Sequence, residues 1–232
     1  MGVALVAIML ICVGWLRGSV GTGIAWAVAV VPSESLRVLA RSSGGVTPGP
    51  WALAWGLGSP RPVAFLFVAA YVSYAAFPLI VAAVERRASV IVPAAIVLTL
   101  GAVINVLVPV RPPWMAGASS RAMSMFAPTA ALVAHDVSPV AAFPSLHVAF
   151  PAVVAVTGRR WWWWLYALLQ SVAVVVGGEH WVLDVAGGWL LAFVVAWLYR
   201  RIDERRRLLR TVRIGEDVRD GDGGLQRAAS RS

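Results

Sequence analysis

The stretch His180-Trp181-Val182-Leu183-Asp184 opens an apolar run that lasts to Tyr199 and is stopped by Arg200-Arg201. A run of that length reads as a transmembrane helix, since about 20 apolar residues cross a roughly 30 Å hydrocarbon core. A histidine at its mouth and an aspartate one turn inside it are costly there, and ionisable groups at membrane depth default to functional roles. A second run begins in the same manner. Ala142-Phe143-Pro144-Ser145-Leu146-His147 leads into a span from Pro144 to about Thr157, closed by Gly158-Arg159-Arg160. The chain has three histidines, His135, His147 and His180, and two of them stand at such edges. Two histidines, a serine and an aspartate so placed point to acid–base or nucleophilic chemistry at a membrane surface.

The rest of the chain fits this reading. Of its 232 residues 59% are hydrophobic and 13% charged, against about 25% charged in a soluble domain. Val63–Val84, Ala88–Val110 and Trp161–Val176 are further spans. Near the N-terminus Val3–Leu16 and Val20–Val31 are apolar, separated by Arg17. They form either a short span with an interfacial segment or two short spans, and an amphipathic turn or helix follows around Glu34–Arg41. The first run lacks a basic leader and a convincing cleavage site, which argues against a signal peptide. The expected fold is all-α, a polytopic membrane helix bundle with about six transmembrane helices. Residues 1–62 form an N-terminal membrane segment and outer loop, and 63–200 the catalytic bundle. Residues 201–232 form an Arg-rich tail, a short helical extension and then partly disordered. Cys12 is the lone cysteine, so no internal disulfide forms and it reads as a packing residue.

The net charge of +9 is carried by arginine, with no lysine in the chain. These arginines lie between spans and in the tail, as topology signals do, rather than as a nucleic-acid surface. With alternating spans, Arg86, Arg87, Arg159, Arg160, Arg200 and Arg201 share one side, the cytoplasmic side by the positive-inside rule. The ends carrying Arg111, His147 and His180 then face outward and the C-terminus is cytoplasmic. An integral protein of the plasma (inner) membrane is expected. Trp161–Trp164 reads as an interfacial anchor.

Three segments therefore meet on the outer side: the end of one span at Arg111, Ser145–His147, and His180–Asp184. His180 and Asp184 are one helical turn apart and share a face. A carboxylate there accepts a hydrogen bond from one imidazole nitrogen and makes the other a better nucleophile or base. Pro144 favours a first helical turn, whose amides attract an anion such as phosphate. Arg111 suits bidentate phosphate binding.

The residues Arg111-Pro112, Pro144-Ser145-Leu146-His147 and His180-x3-Asp184 resemble, in order, the three motifs of the type 2 phosphatidic acid phosphatase superfamily. Pro109-x2-Pro112-Pro113-Trp114, Ala142 to His147 and Gly178-Glu179-His180-Trp181-x2-Asp184 are similar to the branch holding inositol-phosphorylceramide synthases and their bacterial relatives. The resemblance covers roughly residues 63–200. It implies a phosphoryl-transfer enzyme acting on a lipid phosphate, pyrophosphate or phosphodiester, as hydrolase or as transferase to an alcohol or polyol. His180 would form a phosphohistidine, Asp184 orient it, and His147 protonate the leaving group. Ser145 and Arg111 would hold phosphate oxygens, with no metal and no cofactor. The chain departs from the family at two places. Ile104, beside Asn105, occupies the first-motif lysine position, and Ala173-Val174 replaces the Ser-Arg pair of the third motif. Arg121, Arg61 or the amides near Gly177 and Gly178 are the candidates to compensate.

Competing readings of the same residues are an intramembrane serine protease using Ser145 and His180, or a transporter or scaffold with His147, His180 and Asp184 as a proton relay or zinc site. Ser145 also reads as a helix cap, Arg111 and Trp114 as interface anchors with Trp114 a candidate substrate contact. His135-Asp136 reads as solvated loop, Glu179 as a surface group, and Tyr71 and Tyr74 as bundle packing.

Overall fold

The structure, a computed structural model, describes residues 45–49, 53, 65–67, 69–70, 73–74, 77–85, 90–122 and 142–229. The two N-terminal apolar runs with Cys12, the Glu34–Arg41 segment, Arg61, Tyr71 and the pair His135-Asp136 lie outside the described residues. The chain forms two units, Met1–Val195 and Ala196–Ser232.

In the first unit, α1 is Phe77–Glu85, α2 Ile91–Leu107, α3 Leu146–Thr157 and α4 Trp162–Val176; α5 starts at Val182 and runs to Ala229. The described residues are helical, with no strand among them. α2 stops short of the expected Val110. Val108 has left the helical region at φ −128°, ψ 72°, because a residue preceding proline is pushed out of helical geometry. The chain beyond it pairs with a distant loop: Val46 N–H donates to Pro109 O at 2.8 Å and Arg111 N–H to Val46 O at 2.9 Å.

Helix α3 is the centre of the bundle. All ten residues from Leu146 to Ala155 are buried, the mark of a helix enclosed on every face. α1, α2 and α4 pack against it. Burying side chains such as Phe150, Val153 and Val154 contributes about 1.5–3 kcal/mol each. α5 joins through Val148 and Val174, against which Val185 and Trp189 pack. The approach is close. A Cβ on Gly188 would lie 2.6 Å from the Ser145 carbonyl, so glycine is what lets the α5 backbone reach the head of α3.

The outer faces carry the opposite of a soluble pattern. On α4 the buried stripe is Trp163, Ala167, Gln170, Ala173 and Val174, while Leu165, Leu168, Leu169 and Val172 are exposed. α2 exposes Val92, Ile96, Leu100 and Val103, and α5 exposes Leu190, Phe193 and Val194. One segment among the described residues, Val182–Arg206, is long and apolar enough to cross a membrane. The other apolar helices are shorter, at 17, 12 and 15 residues. In the tryptophan run Trp161, Trp162 and Trp164 are exposed. Trp163 turns inward and its Nε1 donates to Glu85 Oε1 at 2.7 Å.

The second unit is helical. Helix continues to Ala229. No proline follows Pro151, and oppositely charged residues recur at helical spacing, as Arg200 and Glu204 do, which supports an exposed helix. Within this unit the Arg201 guanidinium lies 5.7 Å from the centre of the Trp197 ring.

Candidate active site

One end of the first unit gathers the heads of α3 and α5, the tail of α4 and the chain beyond α2. Ser145 occupies the N-cap position of α3, with extended backbone and no side-chain capping bond. His147 follows in the first turn and is buried. Pro151, four residues on, lacks the amide that would bond the His147 carbonyl within the helix. Tyr74 lies against the imidazole, ring centres 4.1 Å apart, and stacks on Phe150 at 5.6 Å.

Trp181 is the N-cap residue of α5, and Asp184, three positions on, reaches back to accept its amide through Oδ2 at 2.8 Å. This is the return half of a capping box. Val182 N–H donates to Leu53 O at 3.1 Å. The cap holds His180 over the head of α3, where His147 Nδ1 and His180 Nε2 stand 3.1 Å apart. His180 Nδ1 is 3.0 Å from the Ala142 carbonyl and 3.5 Å from Asp184 Oδ2. A carbonyl only accepts, so Nδ1 carries a proton and Nε2 presents its lone pair. His147 Nδ1–H is then the donor across the pair. This differs from the expected arrangement: Asp184 caps the helix, and the nearer partner of His180 is a backbone oxygen. Asp184 lies at the distance of an ion pair with a charged imidazole.

Two buried polar atoms at the site, Ser145 Oγ and Asp184 Oδ1, have no hydrogen-bond partner among the described residues. A buried polar atom left unpaired costs about 1–3 kcal/mol, a cost a bound ligand's oxygens and protons can offset. Ser145 N–H is committed to the Asp184 carbonyl at 3.0 Å, which removes one amide from those expected to attract an anion. Among the described residues no three His, Cys, Asp or Glu side chains are grouped to hold a metal ion.

Arg111 enters through its backbone, its carbonyl accepting Trp181 Nε1–H at 2.7 Å. Its side chain is partly exposed. Arg121 and Trp114 come together: the Arg121 guanidinium lies 4.4 Å from the Trp114 ring centre. Arg121 Nε donates to Glu179 Oε1 at 2.8 Å. Glu179 is thus no surface group. It is 5% exposed and Arg121 12%, because Ala122 N–H bonds Gly177 O at 3.0 Å and docks the loop onto the α4–α5 turn. Gly178, at φ +75°, lets that turn pass against Ser120. Glu179→Ala is expected to lower stability by about 3 kcal/mol, the low end for removing one member of a buried ion pair. The unfolding midpoint in detergent measures this, and Arg121→Met with Glu179→Met restores most of the loss. An unchanged midpoint in the single variant rules the pair out as a support of the loop.

Residue order, spacing and geometry now coincide with a known pattern, and the sequence model of the PAP2 superfamily matches residues 45–198. The chain belongs to the PAP2 superfamily. No curated protein and no solved structure matches the chain. Membership gives a phosphatase-type phosphoryl-transfer enzyme, from a family whose members are typically membrane proteins. Within this PAP2 chain the positions of the two absent family cations are apolar. Ile104 is partly buried and Val174 fully so. Arg121 is a cation that the docked loop brings to the turn before His180, and it comes with a carboxylate attached. Asn105, Glu179, Tyr74 and the Ala142 carbonyl are contributors that residue spacing did not assign to the site.

Proposed function

We propose that this PAP2 chain transfers a phosphoryl group from a lipid phosphate, pyrophosphate or phosphodiester by way of a phosphohistidine on His180. The observation that carries it is the 3.1 Å contact between His147 Nδ1 and His180 Nε2, with His180 Nδ1 tied to the Ala142 carbonyl. In the first step the Nε2 lone pair attacks phosphorus and the bond from phosphorus to the leaving oxygen breaks. That oxygen takes the Nδ1 proton of His147, which enters this step protonated on both ring nitrogens and leaves it as neutral imidazole. In the second step water or an alcohol attacks phosphorus, gives its proton to His147, and the P–N bond breaks. Ser145 Oγ–H donates to a phosphate oxygen. Arg111 and Arg121, the latter braced by Trp114, offset its charge. Asp184 stabilises the imidazolium that forms on His180. The serine-protease alternative loses support because no described side chain hydrogen-bonds Ser145 Oγ as a base.

The bundle reads as polytopic, each apolar outer face turned to lipid. The 17 residues of α2 span about 25 Å at 1.5 Å per residue, close to a hydrocarbon core. His147 and Arg159-Arg160 flank opposite ends of α3, which fits a site on the outer face of the plasma (inner) membrane and a cytoplasmic C-terminus. The motif wording favours the inositol-phosphorylceramide-synthase-like branch, and with it an alcohol or polyol acceptor.

Labelled lipid phosphates and phosphodiesters, offered singly to the purified protein in detergent, test the reading. One donor is expected to leave label on His180 in an acid-labile, base-stable bond. Absence of trapped label across the panel, with turnover intact, overturns the phosphohistidine. Release of free phosphate at a rate indifferent to added alcohols overturns the transferase form.

A further inference from the structure

Asn105 is a fully buried carboxamide on a helix otherwise built of Ala, Val, Ile, Leu, Gly, Pro and Thr. Leucine would fill that place with no polar atom to satisfy, and a carboxamide buried there is costly unless bonded. Its Nδ2 donates to Phe143 O at 2.7 Å and lies 3.4 Å from Pro144 O, while Oδ1 has no partner among the described residues. What it holds is the segment whose preceding carbonyl, Ala142 O, meets His180 Nδ1. The other ties on this segment are backbone ones, Ala142 N–H to Val110 O at 3.1 Å and Ser145 N–H to Asp184 O at 3.0 Å. Pro144 has no amide to offer. The Asn105 carboxamide is thus the side-chain anchor between those two ends. The carboxylate, at 3.5 Å from Nδ1 and already accepting the Trp181 amide at 2.8 Å, is the more distant partner.

We infer that Asn105 is a positioning residue: it holds the Ala142–Ser145 segment so that the Ala142 carbonyl keeps His180 in the Nδ1–H tautomer, with Nε2 as the lone-pair nitrogen. The kinetic consequence rests on the phosphohistidine reading; the tautomer does not. Asn105 donates its hydrogen bonds to the Phe143 and Pro144 carbonyls. It acts through a peptide carbonyl, and misplacing a reacting group by about 1 Å costs on the order of 100-fold in rate.

The test uses the full chain in detergent micelles with ¹⁵N-labelled histidine. With three histidines in the chain, the His180 signals are those missing from His180→Asn. The wild-type protein is expected to show the Nδ1–H form of His180. Asn105→Leu, near in volume and without a donor, is expected to show a mixture of tautomers. Its single-turnover phosphorylation rate should fall about 10- to 100-fold, with KM within about threefold of wild type. Asn105→Ala, which adds no bulk, should shift the same two readouts if the leucine variant does not fold. A wild-type His180 protonated at Nε2 overturns the inference, as does a rate loss with the tautomer unchanged, which marks a merely structural role. If His180→Asn retains its phosphoenzyme, the reaction scheme fails while the tautomer measurement still decides the role of Asn105.

Discussion

His180→Asn is expected to abolish the phosphoenzyme and to lower kcat by more than about 10³-fold, within the range seen when a group that acts on the reacting atoms is removed. Asparagine keeps a polar side chain near the Ala142 carbonyl, so the fold is retained and the unfolding midpoint in detergent should move little. Asp184→Asn provides the contrast. Its side-chain oxygen still accepts the Trp181 amide and preserves the α5 cap, and the Ala142 carbonyl still fixes the His180 proton. What is lost is a negative charge 3.5 Å from the imidazole on which, in the proposed mechanism, positive charge develops as the P–N bond forms. The asparagine variant should therefore keep its KM and lose kcat by less than the histidine variant does. Quenched-flow counting of labelled protein against steady-state product measures both. Equal, complete losses in the two variants would show that Asp184, not the carbonyl, sets the nucleophile.

The contrast between these two residues also marks what was legible in the sequence. Histidines at the edges of apolar runs were conspicuous because each is expensive in that setting, and the structure places His147 and His180 in contact across 33 positions of chain. The helices α2, α3 and α4 fall inside the runs that predicted them, since a continuous apolar run ended by arginine or proline has few other meanings. The ends were less legible. Val108 leaves the helix because Pro109 follows. The i,i+4 pairing of His180 with Asp184 was legible, but the nearer acceptor at Nδ1 was not. A backbone carbonyl has no letter in the sequence, and Ala142 reaches Nδ1 through a tie to Asn105 that joins positions 38 apart. Glu179 was misread for a similar reason: its position in a short polar turn looks solvated until Arg121, 58 residues earlier, closes over it. Spacing exposes side chains that share an element. It is silent on backbone acceptors and on pairs formed by loop docking.

The role of His147 is open to a sharper test than loss of activity. His147 Nδ1 is 3.1 Å from His180 Nε2, the nitrogen proposed to attack phosphorus, and Tyr74 packs against the His147 ring. A general acid contributes about 10²–10⁴-fold only when the leaving group needs the proton. With an alkyl phosphate ester, His147→Ala should lose a factor in that range at the phosphorylation step. With a nitrophenyl ester, whose leaving group departs as a stable anion, the same variant should phosphorylate His180 at near the wild-type rate. Water then has no base to take its proton, so the second step stays slow and label accumulates on the enzyme. The expected trace is a burst of nitrophenolate equal to the enzyme present, followed by turnover reduced about 10²-fold or more. His180→Asn gives no burst with either ester. A His147→Ala enzyme that responds identically to both leaving groups would assign His147 to binding or packing, and would leave the proton to another donor, with Ser145 the nearest candidate by chain position. On the proposed mechanism the two histidines are thus separable by leaving-group chemistry even though loss of either removes the same overall reaction, because there one forms the bond to phosphorus and the other only moves protons around it.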